Sequence, residues 1–303
     1  MPGLTVGSAK HGAWAGALAF TWWGFFPLYF RLLPNVRPLE VLANRIVWSL
    51  LLVAALLTWQ SRWRWLWPAL RSRRVLASFI ASALLLSVNW LTYIWAVSNG
   101  HVVDASLGYF ITPLINVALG YGLLGERPRR AQWIALTIAA TGVVWLTVSA
   151  GRLPWIGLVL GLSFGAYGLL RKVATLGALE GLTLETLLLA PAAAAAMAWW
   201  WGGSPSSFPG PDLATNAWLL GLGPATTLPL LLFAVAARSL PMATLGLLQY
   251  TSPSIQFLIG VTLFDEPFSL TRLVGFVLIW LALALYSVDG WRRRGLRVAI
   301  VDA

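Results

Sequence analysis

Long, nearly uninterrupted runs of apolar residues dominate the chain, and short polar segments separate them. Each run is close to the roughly 20 residues that a helix needs to cross a bilayer. The strands of a membrane barrel would instead alternate apolar and polar positions over about ten residues. The pattern therefore predicts an all-α integral membrane protein with ten transmembrane helices. The predicted helices span residues 13–33, 39–59, 75–97, 102–124, 130–148, 154–171, 181–200, 214–237, 242–264 and 269–289.

The composition agrees with a lipid environment. Hydrophobic residues make up 59% of the 303 positions and charged residues only 10%, whereas soluble domains carry about 25% charged residues. The first apolar run follows Lys10, as in a signal peptide, but it extends to about Leu33 and no small-residue cleavage site follows it. We therefore interpret this run as the first transmembrane helix.

Lysine and arginine are divided unequally between the two sets of loops that ten helices create. With the amino terminus inside, most of the 21 basic residues fall in inner segments, and Arg45 lies within a helix. This asymmetry predicts cytoplasmic termini in the inner membrane of the cell. The net charge of +11 does not indicate nucleic acid, because the basic residues form no stripe. The inner set is Lys10, Arg62, Arg64, Arg71, Arg73, Arg74, Arg127, Arg129, Arg130, Arg171, Lys172, Arg238, Arg292, Arg293, Arg294 and Arg297, and the outer set is Arg31, Arg37, Arg152 and Arg272.

A weak internal repeat aligns residues 96–126 with residues 236–266, at a spacing of 140 and without a gap. Each copy would hold five helices, and because five is odd the second copy would enter the membrane from the opposite side. Inverted repeats of this kind are typical of secondary transporters, with substrate near the midplane between the halves. Channels and membrane enzymes also contain repeats. The matched pairs include Pro113 with Pro253, Gly120 with Gly260 and Glu126 with Glu266.

Three charged residues are candidates for a binding or gating role, since charges within a membrane are costly and usually functional. Arg45 would anchor an anionic group or pair with Asp104 in an outer gate; otherwise it snorkels outward. Glu185 would be protonated during a transport cycle, or would form a structural ion pair with Arg171 or Lys172 near the inner face. Asp104 would act in a gate or cap the start of helix four.

Amides and phenols share helix faces with aromatic residues on helices three, four and nine, as in a cavity with a few polar groups. The alternative is hydrogen bonding that only holds the bundle together. In helices one and six, Trp23, Phe26 and Tyr167 either line the cavity or pack. Glu126 and Glu266 precede prolines and are interpreted as helix-start signals. The cavity candidates are Asn89, Trp90, Tyr93, Tyr109, Phe110, Asn116, Tyr167, Gln249, Tyr250 and Gln256, and the expected helix breaks are Pro113 and Pro253.

A resemblance to a known family rests on the motifs NRIVWS (44–49), NWLTYIWAVSNGHVVDASLGYFITPLIN (89–116), LGERPRRAQW (124–133), FGAYGLLRK (164–172), LETLLLAP (184–191) and LGLLQYTSPSIQFL (245–258). With these motifs the chain resembles the drug/metabolite transporter superfamily, EamA type, and within it the RarD subgroup, from about residue 12 to 290. One departure is FDEP at 264–267, where a Gly-Glu pair would be commoner; it weakens any role for Glu266.

The resemblance implies two inverted five-helix repeats, at 12–149 and 153–290, with a basic cytoplasmic tail at 291–303. It also implies a central cavity lined mainly by helices one, three, four, six, eight and nine, with helices five and ten at the periphery. It does not name a substrate.

Nothing in the sequence indicates catalysis or a cofactor. The two histidines are isolated, no phosphate-binding glycine loop is present and cysteine is absent. We predict no enzyme, cofactor, metal or nucleic-acid partner, but a secondary transporter that exports a small molecule by alternating access. Its partners would be membrane lipid and the substrate, and a homodimer is left open. The alternatives are a passive facilitator or channel and a lipid-handling or structural membrane protein.

Overall fold

A computed structural model describes residues 6–150, 154–203, 208–210, 212–265, 269–271, 273–282, 284–285 and 288. Within these ranges the chain is helical or lies in short connections. Glu266 and the tail at 291–303 lie outside the described residues. The helices are α1 (Val6–Gly24), α2 (Phe26–Arg31), α3 (Pro38–Trp59), α4 (Leu66–Arg71), α5 (Arg73–Ser98), α6 (Val102–Leu124), α7 (Arg130–Ala150), α8 (Trp155–Val173), α9 (Ala178–Gly203), α10 (Leu213–Ser239), α11 (Met242–Gln249), α12 (Thr251–Leu263) and α13 (Leu273–Ala282).

Seven helices of the described chain are long and apolar enough to cross a membrane, namely α3 and α5 to α10. They coincide with seven of the ten predicted spans. Large apolar side chains face outward from them; Val148, for example, is 73% exposed and Trp199 is 77% exposed. Such a surface is suited to a lipid bilayer, because the hydrocarbon core of the bilayer is itself apolar. The chain is therefore a multi-pass helical membrane protein.

Two of the predicted transmembrane helices are each divided into two pieces. The first divides at Phe25, and the ninth divides at Tyr250. At both positions the backbone N–H bonds the carbonyl three residues earlier, at 3.1 Å, as in a 3₁₀ turn. A proline follows each division, Pro27 or Pro253, and its ring cannot donate the next helical bond. The break expected at Pro253 thus lies three residues earlier, whereas α6 continues through Pro113, where the expected break does not form.

Two of the carbonyl groups that prolines leave without a helical partner are bonded by side chains from distant parts of the chain. Pro27 removes the helical donor to the Trp23 carbonyl, and Gln256 donates to that carbonyl instead, at 3.0 Å. The Ala225 carbonyl also precedes a proline by four residues, and it accepts from Trp22 Nε1 at 3.1 Å. Backbone groups at membrane depth must be bonded internally, so these side chains stabilise the irregular positions.

Helices from the first 150 residues pack mainly on helices from the rest of the chain. The most extensive contacts join α6 to α8, α1 to α10, and α3 to α9 and α10. The first depends on glycine, because a Cβ added to Gly108 would lie 2.7 Å from the Gly157 Cα. Small residues of this kind let two helix backbones approach closely in a membrane. The core is therefore shared between the two halves of the sequence.

The connection between α3 and α5 contains a short helix, α4, that the apolar pattern did not predict. Trp65, Leu66 and Leu70 from this segment pack against Phe79 and Leu184. The segment alternates tryptophan with arginine, and this packing buries part of its apolar surface. Six residues are too few to cross a membrane, so α4 lies beside the bundle.

Candidate substrate cavity

A small cavity of about 30 Å³ lies among the helices, which is room for about one or two water molecules, so the site is nearly closed in this conformation. We call the end of the bundle that the charge pattern assigns to the cytoplasm the inner end, and the opposite end the outer end. Helix α3 contributes to the lining, which the family resemblance did not imply, whereas α10 lies behind it. The lining residues are Phe20, Trp23, Phe26, Arg45, Asn89, Trp90, Tyr93, Tyr109, Phe164, Gln249, Ser252 and Gln256.

Arg45 is the one charged residue in this described lining, and it is only 2% exposed. Its Nε donates to the Thr226 hydroxyl at 2.7 Å. Its guanidinium carbon lies 4.2 Å from the centre of the Trp90 ring and 5.2 Å from that of Phe26. The electron-rich faces of these rings attract the cation. Arg45 therefore points into the bundle, and it does not snorkel outward.

The predicted pair between Arg45 and Asp104 does not form. Asp104 lies at the start of α6, where its carboxylate is 3.4 Å from His101 Nδ1. Arg45 lies on the face of α3 that packs against α10 and α5, which directs its side chain to Thr226 and Trp90. Within the described chain, the guanidinium consequently has no carboxylate partner.

Asn89 organises the polar wall of the cavity. Its side-chain amide donates to the Leu160 carbonyl and to the Ser163 hydroxyl, both at 3.0 Å. Its amide oxygen accepts from the Tyr109 hydroxyl at 3.3 Å. The neighbouring Tyr93 hydroxyl is buried and has no hydrogen-bond partner among the described residues. One hydroxyl in this wall is thus bonded to the protein, and the other is available to a bound molecule.

A second polar group lies where α6 meets the divided helix α11–α12. Asn116 donates through its amide to the Gln249 amide oxygen at 3.1 Å. Gln256 donates to the Ser252 hydroxyl at 3.1 Å as well as to a backbone carbonyl. Gln249 and Gln256 line the cavity, whereas Asn116 lies behind Gln249. In the described structure Gln249 Nε2 and Gln256 Oε1 have no hydrogen-bond partner.

Aromatic rings complete the wall and continue toward the inner end. Trp23 meets Phe164 edge to face, with ring centres 5.5 Å apart. Phe233 lies 5.0 Å from Phe164 and stacks on Tyr167 at 5.8 Å. Tyr167 is thus part of a buried layer between the cavity and the inner end, and it does not line the cavity itself.

Two other candidate residues lie outside the cavity. Phe110 and Tyr250 contact each other with ring centres 5.9 Å apart, and Phe110 also meets Phe276 at 5.2 Å. Together they form a separate apolar cluster with Phe257. Pro113 lies near this cluster and packs against Gly246. These residues hold α6, α12 and α13 together.

Glu185 belongs to a buried cluster near the inner end. Its carboxylate lies 3.7 Å from Arg171 Nη1, as predicted, and both side chains are essentially inaccessible, at 0% and 1% exposure. The Ser82 hydroxyl donates to the same carboxylate. Arg171 also donates to the carbonyls of Gly177 and Ala178, each at 3.3 Å. The cluster joins α5, α8 and α9 without contacting the cavity.

Glu126 joins the two halves at the inner end. Gly125 ends α6 in the left-handed conformation, with φ of 67°, a common helix ending. The Glu126 carboxylate then accepts from the Met242 N–H at 3.0 Å and lies 3.5 Å from Lys172 Nζ. Lys172 also donates to the Leu240 carbonyl at 2.7 Å. Glu126 thus caps the start of α11. The interpretation that it marks the start of the following helix, α7, is therefore wrong.

Several residues around the cavity carried no signal in the sequence. Phe20 and Phe164 look like ordinary apolar residues, and the Thr226 hydroxyl is one among many. Arg171 was named only as an alternative partner for Glu185. The spacing of 140 does align it with Arg31, whose Nη1 donates to the Leu263 carbonyl at 3.0 Å, so the repeat could have indicated both arginines.

A buried cavity between the halves of a multi-pass helical bundle is the arrangement of a membrane transporter. The comparisons agree. Residues 11–148 match the EamA-like transporter family. An uncharacterized transporter of Pseudomonas aeruginosa is 44% identical, over 95% of this chain and 97% of the relative. The protein RarD of Streptomyces exfoliatus is 42% identical, over 93% of this chain and 90% of the relative.

The chain belongs to the EamA-like transporter family, in its RarD subgroup. A solved structure described only as the crystal structure of a protein has the same fold, with a TM-score of 0.67 and 18% identity. The match covers 92% of this chain and 98% of the solved one. The relatives named above are transporters or RarD proteins, and the chain is accordingly a membrane transporter.

Proposed function

We propose that the chain is a secondary transporter that exports a small amphipathic molecule across the inner membrane by alternating access. Ten helices would form two inverted five-helix repeats, at 12–149 and 153–290, with both termini in the cytoplasm. The observation that carries the proposal is the cavity itself. Its lining comes from both halves of the chain, and it combines one cation, several amides and phenols, and a wall of aromatic rings.

The barriers on the two sides of the cavity differ. Toward the outer end, Phe30 contacts the rings of Phe26 and Tyr93 and also lines a groove of about 380 Å³. Toward the inner end lie the aromatic layer, the Glu185 cluster and the bonds of Glu126 to Met242. The thinner outer barrier supports a resting state that opens outward more readily than inward.

The divided helices supply elements that can move. α2 and α12 are the outer parts of helices one and nine, and they contact each other. Arg31 holds them together by donating to the Leu263 carbonyl and by lying over the Phe264 ring at 5.2 Å. Discontinuous helices of this kind commonly form transporter sites and gates. Parting of α2 from α12 would open the cavity to the outer groove.

The proposal is tested by uptake into inside-out vesicles with a panel of amino acids, nucleosides, organic anions and chloramphenicol. We expect saturable accumulation of one class, and a counterflow overshoot when vesicles are preloaded with the same compound. Arg45→Ala should abolish both, whereas Arg71→Gln on α4 should not. Flux without saturation or counterflow would identify a channel. A folded protein that moves no solute in the panel would contradict the proposal and direct attention to lipids.

A further inference from the structure

Building on the proposed transport function, we propose that the cavity binds an aromatic monocarboxylate: a planar ring whose carboxylate pairs with Arg45 and which carries no positively charged amine. This names a class of substrate that neither the fold nor the relatives specify.

The charge of Arg45 is not compensated by a carboxylate of the described chain. A buried cation without a partner is costly in a low-dielectric interior. Arg45 forms no ion pair within the described chain, and the carboxylates nearest to the membrane ends are joined to other cations. The ion pairs between described residues are Arg37–Glu40, Arg62–Glu180, His101–Asp104, Arg171–Glu185 and Lys172–Glu126. A substrate anion would supply the missing charge.

The guanidinium of Arg45 is held on one face and along one edge. Trp90 covers one face of it, and Nε donates to Thr226. Neither Nη group has a partner among the described residues, although Arg45 lines the cavity. A guanidinium that stacks on an aromatic ring keeps its edge free for two parallel bonds to a planar carboxylate. The free edge of Arg45 can therefore form two charge-assisted hydrogen bonds with a carboxylate, and a neutral group would bind there more weakly.

The rest of the cavity lining is suited to a planar ring. Phe20, Trp23 and Phe164 provide ring faces and edges against which a planar substrate can pack. The Tyr93 hydroxyl and the Gln249 amide nitrogen, which have no hydrogen-bond partner in the described chain, can bond a polar substituent on the ring. A buried donor without a partner discriminates strongly between ligands that satisfy it and ligands that do not.

The same lining argues against a zwitterion such as an aromatic amino acid. Its described residues include no aspartate or glutamate. An ammonium group near Arg45 would add a second cation without adding an anion, and like charges at close range are unfavourable. The carboxylate of an amino acid would still pair with Arg45, but its amine would lack a charged partner. The cavity should therefore prefer the acid without the amine.

The test uses four indole compounds that differ mainly in charge: indole-3-acetate, indole-3-acetamide, tryptamine and tryptophan. Binding to the purified full-length protein in lipid nanodiscs is measured by isothermal titration calorimetry. We expect indole-3-acetate to bind about 10- to 100-fold more tightly than the amide, as for loss of a charged hydrogen-bonded pair. Tryptophan and tryptamine should bind more weakly than the acetate. The selectivity is a property of the unmodified protein and needs no variant.

Variants assign the selectivity to one residue. Arg45→Gln should bring the acetate and the amide within about 3-fold of each other, and Arg45→Lys should keep part of the difference because it keeps the charge. Arg71→Gln, which changes an arginine of α4 outside the cavity, is the matched control and should behave as the original protein. A preference that persists in a folded Arg45→Gln protein would overturn the assignment to Arg45.

The outcomes separate this inference from the transport proposal. Equal binding of acetate and amide, or tightest binding of tryptamine or tryptophan, overturns the anion inference. If no indole binds, the corresponding phenyl series is titrated, and failure of phenylacetate as well overturns it. Saturable counterflow of a neutral or cationic solute would uphold transport while the inference fails. Binding of the acetate without any flux would uphold the inference while the transport proposal fails.

Discussion

Replacing Glu185 by glutamine removes the charge partner of Arg171 inside the bundle. Both side chains are buried, with 3.7 Å between Oε1 and Nη1, and the protein provides no water-accessible surface for the remaining cation. Loss of one partner of a buried ion pair costs about 3–5 kcal/mol, because the other charge stays buried. We expect Glu185→Gln to lower stability by an amount in that range, although the substitution hardly changes side-chain volume.

A double substitution distinguishes a lost pair from general damage to the core. Arg171→Met alone should be as harmful as Glu185→Gln, because it leaves a carboxylate without its cation. The double variant Arg171→Met with Glu185→Leu removes both charges, and apolar replacement of a whole buried pair is often neutral or stabilising. It should therefore be clearly more stable than either single variant.

The assay is reversible unfolding in a fixed mixture of lipid and detergent, with thermal midpoints by size-exclusion chromatography as a second measure. With Glu185→Leu measured as the second single variant beside Arg171→Met, the double-mutant cycle gives the coupling between the two residues. Additive losses would refute the reasoning, since they would mean that Glu185 and Arg171 do not interact. An unchanged stability of Glu185→Gln would also contradict the reasoning, because it would mean that the charge of Glu185 does not stabilise the folded protein.

Two further predictions concern packing and the inner closure. Gly108→Ala should cost about 1–3 kcal/mol through overpacking against Gly157, while Gly122→Ala, where a Cβ meets nothing within 4 Å, should leave the unfolding midpoint unchanged or raise it slightly. Glu126→Gln should weaken the cap of α11 and favour inward opening, so that a cysteine placed at Asn116 reacts faster with maleimide from the inner side; an unchanged or slower rate in this otherwise cysteine-free chain would contradict the closure role.

The helices could be predicted because a bilayer demands long apolar segments. The apolar pattern does not predict where those segments divide, because the apolar run continues through Phe25 and through Tyr250. Prolines signal such divisions, but only tertiary contacts decide whether a helix opens there. Pro113 shows this, because α6 continues through it, packed closely against α8 and α11.

The cavity residues could be predicted only in part, because polar side chains stand out in apolar helices but their direction does not. Consecutive helical residues point in different directions. Tyr109 therefore lines the cavity while Phe110 faces α13. Likewise, Gln249 lines the cavity while Tyr250 belongs to the separate apolar cluster of Phe110. The wrong pairing of Arg45 has the same origin. Its partner depends on the rotation of α3 against α10, which sequence spacing does not contain.

The packing of early helices on late ones has a consequence for biosynthesis. Helices α1, α3 and α6 enter the membrane while their main partners α8, α9 and α10 have not yet been translated. Their packing faces must remain against lipid or against a membrane chaperone until then. The first half of the chain should accordingly be sensitive to proteolysis during synthesis. A ribosome that stalls near residue 150 would release a fragment with no partner for those faces.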